Sequence, residues 1–377
     1  MARPYKNGYF FNKKMINKAA LLSSYPSHNE NRILTTNGQN DSNLPFVELK
    51  KTLSLEGISL ITLDLVDDYR SLDLIIVLRH ESNFSMLLDV IKVNRKIKIL
   101  KITTEEVSVA PTQSNSLLNF GIFDSILTWR DNEIDNKLFF KYYYPNSNRF
   151  YNVGLKSKRK LVCLINAYKT NYFKSKYNIY SERFKVIEFF RSNDDFSLYG
   201  YNWDEYDSKL KNYFGSVRDK NEIFKKYDFA FIFENSNNEM GGISEKIWDA
   251  FSAGCIPIYY GAPNIADYIP SNCFICYKSF ENIEKLHNHI SLMTKKEKEK
   301  IRNQIEIFMN SSDYLKFTSK EFSKNILSHI KRLAKTKPIN KSIFKIKINL
   351  LKNLVHGRIS LLKHKRFYFN FFTSRYF

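Results

Sequence analysis

The stretch from Tyr227 to Phe280 constrains the fold more than any other part of the chain. Phe229 to Phe233 is an unbroken apolar run, which predicts a short buried strand. The segment that follows, Glu234 to Ser244, is polar and contains Gly241 and Gly242, so it predicts a loop at the carboxyl end of that strand. Ser244 can cap a helix running from Glu245 to about Ala253, which Gly254 ends. Ile256 to Tyr260 is then a second buried strand. In a β-loop-α-β unit of this kind, ligands sit beyond the carboxyl ends of the strands. The helix N-terminus there offers free N–H groups and the positive end of a dipole, which suits a phosphate. Lys246 lies in the first helical turn, where a cation opposes the dipole unless an anion is close. The stretch therefore predicts a diphosphate site with the Glu245 carboxylate beside the Lys246 ammonium.

The remaining chain extends this pattern. Strands are expected at Ser59–Val66, Leu74–Leu78, Ile97–Thr103 and Phe123–Trp129, with a helix over Asn83–Asn94 that Ser82 can cap. Residues 1–50 are polar and rich in Asn and Ser, with few periodic segments. After the basic linker Gly154–Lys160, a strand is expected at Leu161–Asn166, a helix at Ser181–Arg191 and a short strand at Ser197–Tyr199. Helical patterns continue at Glu281–Met293, Lys295–Met309 and Ser312–Leu333. Strands alternating with helices predict two α/β domains, at residues 1–153 and 154–335, followed by a tail at 336–377.

The formal net charge is +21, which favours polyanionic surfaces such as anionic lipid headgroups, phosphorylated saccharides or nucleic acid. No acidic residue follows Glu321, and the last residues read RFYFNFFTSRYF. A basic, amphipathic, aromatic segment suits an anionic bilayer surface. No nucleic-acid-binding motif accompanies it, so nucleic acid is not expected as a partner. The four cysteines, Cys163, Cys255, Cys273 and Cys276, lie in or beside apolar runs and lack zinc spacing, which predicts free thiols in a reducing compartment. The basic N-terminal residues lead into no apolar run, and no stretch approaches the ~20 apolar residues of a membrane span. A cytoplasmic protein lying on the inner face of the membrane is expected.

The segment FENS, a glycine-containing loop, and then SEKIWDAFSAGCIPIYYGAPNIADYIP resembles the donor-binding signature of the α-1,3/1,4-fucosyltransferases, glycosyltransferase family 10, of bacterial type. The likeness is ungapped from Ile243 to Pro270. It implies the GT-B architecture, with two Rossmann-like α/β domains facing a cleft. The first would bind the acceptor and the second a GDP-sugar. It also implies an inverting transfer of L-fucose from GDP-fucose to a hydroxyl of a surface glycan, often GlcNAc, as in O-antigen or lipopolysaccharide. Two alternatives are another GDP-deoxysugar as donor and a non-catalytic, membrane-surface saccharide-binding protein.

An inverting transfer needs a base for the acceptor hydroxyl and neutralisation of the departing diphosphate. The sequence contains no Asp-x-Asp, so cations of the chain are expected to replace a metal, and no cofactor is expected. The resemblance assigns the diphosphate to Lys246 and Arg183, and the donor's sugar and ribose hydroxyls to Glu245 and Asn235, beside the capping Ser244. It assigns the base to Glu105, ahead of Pro111, with Glu106 as the alternative; His80 and Glu81 form a weaker candidate pair. Tyr201 and Trp203 are expected to pack. The chain departs from the family at Gly242, where many members carry a tyrosine able to stack on the guanine. Tyr227 is one candidate to replace it.

Overall fold

The structure, a computed structural model, describes residues 16–36, 42–78, 84–106, 121–146, 159–169, 177–339, 341–346 and 348. Strands β1 (Lys18–Leu22), β2 (Ser59–Thr62), β3 (Leu74–Val77), β4 (Lys98–Ile102), β5 (Ser125–Thr128) and β6 (Phe139–Lys141) form one sheet in the order β2-β1-β3-β4-β5-β6. Strands β7 (Lys160–Ile165), β8 (Phe196–Tyr199), β9 (Tyr227–Phe233), β10 (Ile256–Tyr260) and β11 (Ile275–Cys276) form a second, in the order β11-β10-β9-β7-β8. Every strand pair is parallel. Parallel strands need crossovers that cover both faces, which is why the strands read as continuous apolar runs.

The helices are α1 (Leu44–Leu55), α2 (Phe84–Val93), α3 (Tyr180–Phe189), α4 (Trp203–Tyr206), α5 (Lys220–Phe224), α6 (Glu245–Ser252), α7 (Ile283–Leu292), α8 (Lys295–Met309), α9 (Ser312–Leu315) and α10 (Ser319–Ala334). In the second sheet the chain runs from β7 to β8 on one side and from β9 to β10 and β11 on the other. The order reverses between β7 and β9, so their carboxyl ends mark the crevice where a ligand is expected. In the first sheet the reversal lies between β1 and β3.

Several features differ from the sequence-based expectations. The helix expected over Ser312–Leu333 is two, Ser312–Leu315 and Ser319–Ala334, because Thr318 caps a new start with its side chain accepting from Glu321 N. β1 falls in the segment expected to hold few elements, yet it is internal to its sheet, pairing with both β2 and β3. A five-residue strand with two alanines carries little periodicity, and its burial comes from its neighbours. Only Ser59–Thr62 of the expected Ser59–Val66 strand pairs; Leu63–Leu65 turns into a 3-10 helix. A further difference concerns α10, which lies in residues expected to belong to the second domain. Its Phe322, Ile326, Ile330 and Leu333 share a core with Leu49 and Leu53 of α1 and with the first sheet. The i, i+4, i+8, i+11 spacing makes one apolar stripe, and α1 is the face that covers it. The chain beyond α10 also returns to the first domain: Lys341 Nζ donates to Asp124 Oδ2 at 2.8 Å, and Ile346 is buried beneath the first sheet. The rest of the 336–377 tail lies outside the described residues, apart from 348, as do His80, Glu81 and Pro111. Among the described residues no helix is long and apolar enough to cross a membrane.

Candidate active site

A cavity of about 700 Å³ opens between the carboxyl ends of the two sheets, lined from the first domain by Glu105 and Glu106 and from the second by Asn235, Ser244, Glu245 and Lys246. The donor-side wall is built on the start of α6. Ser244 Oγ accepts from Lys246 N, as a cap should. Ile247, Trp248 and Phe251 bury the opposite face of the helix and fix its direction.

The anion that the first turn of α6 requires is supplied by the chain itself. Glu234, at the end of β9, accepts from Ser244 N at 3.0 Å, from Ser244 Oγ at 2.7 Å and from Lys246 Nζ at 3.0 Å. Its side chain is only 1% exposed. Burial lowers the Lys246 pKa, but Glu234, Glu245 and Glu106 together raise it well above the ordinary lysine range, so the ammonium stays charged. Two of its three donors go to Glu234 and Ser244 Oγ, which leaves one for a ligand oxygen. Glu245 faces the cleft with its side chain 42% exposed, 3.9 Å from Lys220 Nζ. Desolvation raises its pKa, and Lys246 and Lys220 outweigh that to bring it below the usual glutamate value. Glu245 is therefore an ionised acceptor suited to a pair of hydroxyls.

Asn235 and Arg183 meet at the β7/β9 crevice. Arg183 is 1% exposed and is spent on the protein: Nη1 donates to Asn166 Oδ1 at 2.9 Å, and Nη2 donates to the carbonyls of Phe233 and Glu234 at 3.0 and 2.7 Å. Its guanidinium lies 3.8 Å from the centre of the Tyr180 ring, and Tyr180 Oη donates to Asn235 Oδ1 at 2.8 Å. Asn166, Tyr180 and Asn235 line the cavity, with Arg183 behind them. Arg183 thus joins the ends of β7 and β9 and aims the residues in front of it.

On the acceptor side, Glu105 follows β4 and accepts from Tyr25 Oη at 3.2 Å, while its backbone carbonyl accepts from Arg130 Nη2 at 2.8 Å. Tyr144 lines the same cavity: burial raises its pKa, and the Glu245 and then the Glu105 carboxylate raise it further, so it remains a neutral phenol. Glu106 turns the other way and accepts from Asn235 N at 3.2 Å. Burial, and then the carboxylates Glu239 and Glu234, push its pKa from 4.5 up to about 7. A carboxyl with a raised folded pKa binds its proton more tightly in the native state than in the unfolded chain. Its contribution to stability is full below pH 4.5 and is lost as pH rises through about 7. Glu106→Gln is expected to remove this slope, so that urea midpoints of variant and wild type agree at pH 5 and the variant's is higher at pH 8. Parallel midpoints at both values would exclude Glu106 as the source.

The loop between β9 and α6 is clasped by the first domain. Glu239 Oε2 accepts from Arg130 Nε at 3.0 Å and from Trp129 Nε1 at 3.2 Å. Asp131 accepts from Lys141, Tyr268 and Asn264. Gly241, at φ +75°, passes so close that a Cβ would lie 2.5 Å from the Trp129 carbonyl oxygen. A Cβ at Gly242 would meet Glu239 at 3.0 Å. The departure from the family tyrosine at Gly242 therefore accompanies a loop that docks Glu239 where a side chain would otherwise stand.

The profile of the family described as "Glycosyltransferase family 10 (fucosyltransferase) C-term" matches residues 156–345, just over half of the chain. The chain belongs to glycosyltransferase family 10. It is 33% identical over 78 residues to the alpha-(1,3)-fucosyltransferase FucT of Helicobacter pylori, covering 21% of this chain and 16% of that protein. It is 39% identical over 69 residues to the GDP-fucose protein O-fucosyltransferase 3 of Canis lupus familiaris, covering 18% of this chain and 14% of the relative. These matches span about a sixth of the relatives' length. A crystal structure of an α1,3-fucosyltransferase superposes with a TM-score of 0.56 at 16% identity, covering 89% of this chain and 95% of the other. The crystal structure of an α1,3-fucosyltransferase with GDP-fucose gives 0.51 at 17% identity, covering 90% and 96%. At these identities the superposition carries the fold, which is GT-B.

Within the family 10 frame, the structure brings Asn235, Ser244, Glu245, Lys246, Glu105 and Glu106 to one cavity and sets Arg183 one layer behind. Several residues at the site carry no local signal in the sequence. Glu234 is part of the FENS motif, but its pairing with Lys246 depends on α6 returning to the end of β9. Lys220 donates to Asp249 at 2.9 Å and reaches the cleft only because α5 packs beside α6. Trp129 and Tyr144, whose ring centres are 5.6 Å apart, form an aromatic face on the acceptor side. Their aromatic character was visible in the sequence, but not the side to which they point. Tyr227, the first residue of β9, is 1% exposed and its hydroxyl pairs with Tyr199 Oη at 2.9 Å, so it packs in the core and does not line the cavity.

Proposed function

We propose that this family 10 protein transfers L-fucose from GDP-β-L-fucose to a hydroxyl of a surface glycan with inversion at the anomeric carbon. What supports this is the pairing across one cavity of a first-domain carboxylate, Glu105, with the second-domain Glu245–Lys246 pair. Glu105 takes the proton from the acceptor hydroxyl as its oxygen attacks C1. The bond from C1 to the phosphate oxygen breaks, and GDP leaves with the bonding electrons. Lys246 neutralises the charge that builds on the diphosphate, in place of a metal. Glu245 and Asn235 orient the donor hydroxyls, and Arg183 holds Asn235 in place.

The test is GDP release from GDP-fucose in excess EDTA, with GlcNAc-terminated glycans and with folded peptide acceptors. Acceptor-dependent release with a glycan is the expected result, and the product should carry the α configuration. Release only on adding a divalent ion would overturn the metal-free step. Release with peptides alone would move the acceptor to the class named for the O-fucosyltransferase relative. GDP-fucose binding without any transfer would support the saccharide-binding alternative. Gly242 keeps a second GDP-deoxysugar in the comparison, so GDP-rhamnose and GDP-colitose belong in the same assay. The +21 charge and the acid-free sequence after Glu321 motivate a place on the anionic inner face of the cytoplasmic membrane. Binding to phosphatidylglycerol vesicles should fall when salt is raised from 0.05 to about 0.5 M, and salt-independent binding would exclude a charge-driven contact.

A further inference from the structure

We infer that Tyr201 and Arg218 form the base-recognition face of the donor site, with the Tyr201 ring stacking on a purine and Arg218 selecting guanine. This rests on the proposal that the donor is a guanine nucleotide sugar. It assigns the role left open by Gly242.

The argument starts from the end of β8. Gly200, at φ +131°, lies so close to the end of β7 that a Cβ would stand 1.8 Å from the Asn166 carbonyl oxygen. This close approach carries the chain over the second sheet's carboxyl edge and delivers the next residue to the cavity. Tyr201 is held there by its backbone, whose carbonyl accepts from Tyr168 N at 2.9 Å. The residue is 62% exposed and lines the cavity. The neighbouring rings are engaged in packing: Tyr168 lies against Phe184, Trp203 and Tyr206, and Tyr199 against Phe214 and Tyr227. Among the described residues no ring stacks on Tyr201. The expectation that both Tyr201 and Trp203 pack thus holds for Trp203, which is 1% exposed and donates to the Asn166 carbonyl, and fails for Tyr201.

The same wall is continued by the segment before α5. Gly200 N donates to the Gly215 carbonyl at 2.9 Å, which ties the start of this segment to the turn that carries Tyr201. Arg218 is exposed and lines the same cavity. Its neighbour Asp219 is spent on capping α5, where its side chain accepts from Asn221 N. Two residues on, Lys220 lies beside Glu245, so the wall runs from Tyr201 through Arg218 to the Glu245–Lys246 pair. A nucleotide with its diphosphate at Lys246 and its ribose at Glu245 would place its base on this wall. Base–aromatic stacking tolerates any base. Arginine matches the O6 and N7 acceptors of guanine, whereas adenine offers a donor beside N7 and uracil has no N7.

The test is calorimetric titration of the full chain with GDP, ADP, UDP and inorganic pyrophosphate, for wild type, Tyr201→Ala, Tyr201→Phe and Arg218→Ala. Tyr201→Ala is expected to weaken GDP about ten- to hundred-fold, and Tyr201→Phe to leave it within about twofold. Arg218→Ala is expected to bring GDP down to the affinity of ADP. Pyrophosphate affinity should be the same in all four proteins, which a general loss of structure would not allow. Unchanged GDP binding by Tyr201→Ala, in a wild type that prefers GDP, would overturn the stacking role alone. A wild type that binds UDP as tightly as GDP would overturn the guanine-nucleotide donor, and with it the role of Arg218.

Discussion

Glu105→Gln should abolish transfer while leaving donor binding intact. The exchange keeps the side chain's shape and an oxygen for the Tyr25 hydroxyl, but replaces a basic carboxylate by an amide too weakly basic to take the acceptor proton. Arg130 holds Glu105 through its backbone carbonyl, so the clasp to the donor loop does not depend on the side chain. General-base loss predicts a fall in kcat of about 10²- to 10⁴-fold, with GDP affinity unchanged. Single-turnover rates and GDP titration on the same preparation measure both. The alternative base is separable by the same experiment. Glu106 faces Asn235 N and the acidic residues of the donor loop, so Glu106→Gln should change donor affinity more than the chemical step. If Glu106→Gln shows the large kcat loss and Glu105→Gln does not, the assignment is reversed.

Lys246→Ala should show the largest combined effect on binding and stability. It removes the charge that meets the diphosphate, and charge-assisted contacts of this type are about twice as strong as neutral ones. It also leaves Glu234, 1% exposed, with only Ser244 as partner. Breaking a buried pair by removing one partner typically costs about 3–5 kcal/mol. A bare alanine substitution would thus confuse lost binding with lost fold. Pairing it with Glu234→Gln removes the stranded charge. The double variant is expected to recover most of the lost midpoint in urea and none of the lost GDP affinity. Recovery of GDP binding in the double variant would show that Lys246 acts only through the fold and would place the diphosphate elsewhere.

Most of the second domain was legible because its elements carry local signals. The strand at Ile256–Tyr260 has the expected ends, and Ser244 caps α6 as its position before Glu245 predicts. Long apolar runs bounded by Gly and Ser leave few alternatives. The first domain was less legible. β1 is short and alanine-containing, and α10 has the period of a surface helix without any mark of which surface it covers. Both receive their place from partners distant in sequence: β1 from β2 and β3, α10 from α1.

The same division runs through the candidate site. The sequence alone determined the residue types and their spacing: a carboxylate beside a cation at a capped helix start, a glycine pair ahead of it, and a glutamate after a first-domain strand. These are local, since capping, glycine freedom and strand burial act over a few residues. Only the tertiary structure decided which groups are spent on the protein and which face the cleft. Arg183 is turned inward because the buried carbonyls of Phe233 and Glu234, at the end of β9, must be given a donor. Lys246 is paired with Glu234 because α6 returns its N-terminus to the strand that precedes it. Tyr201 faces the cavity while Trp203 is buried, because Gly200 carries the chain over the sheet edge and Asn202, at φ +67°, turns it back before Trp203. Burial and charge pairing depend on what the whole chain brings together, and no window of sequence contains that information.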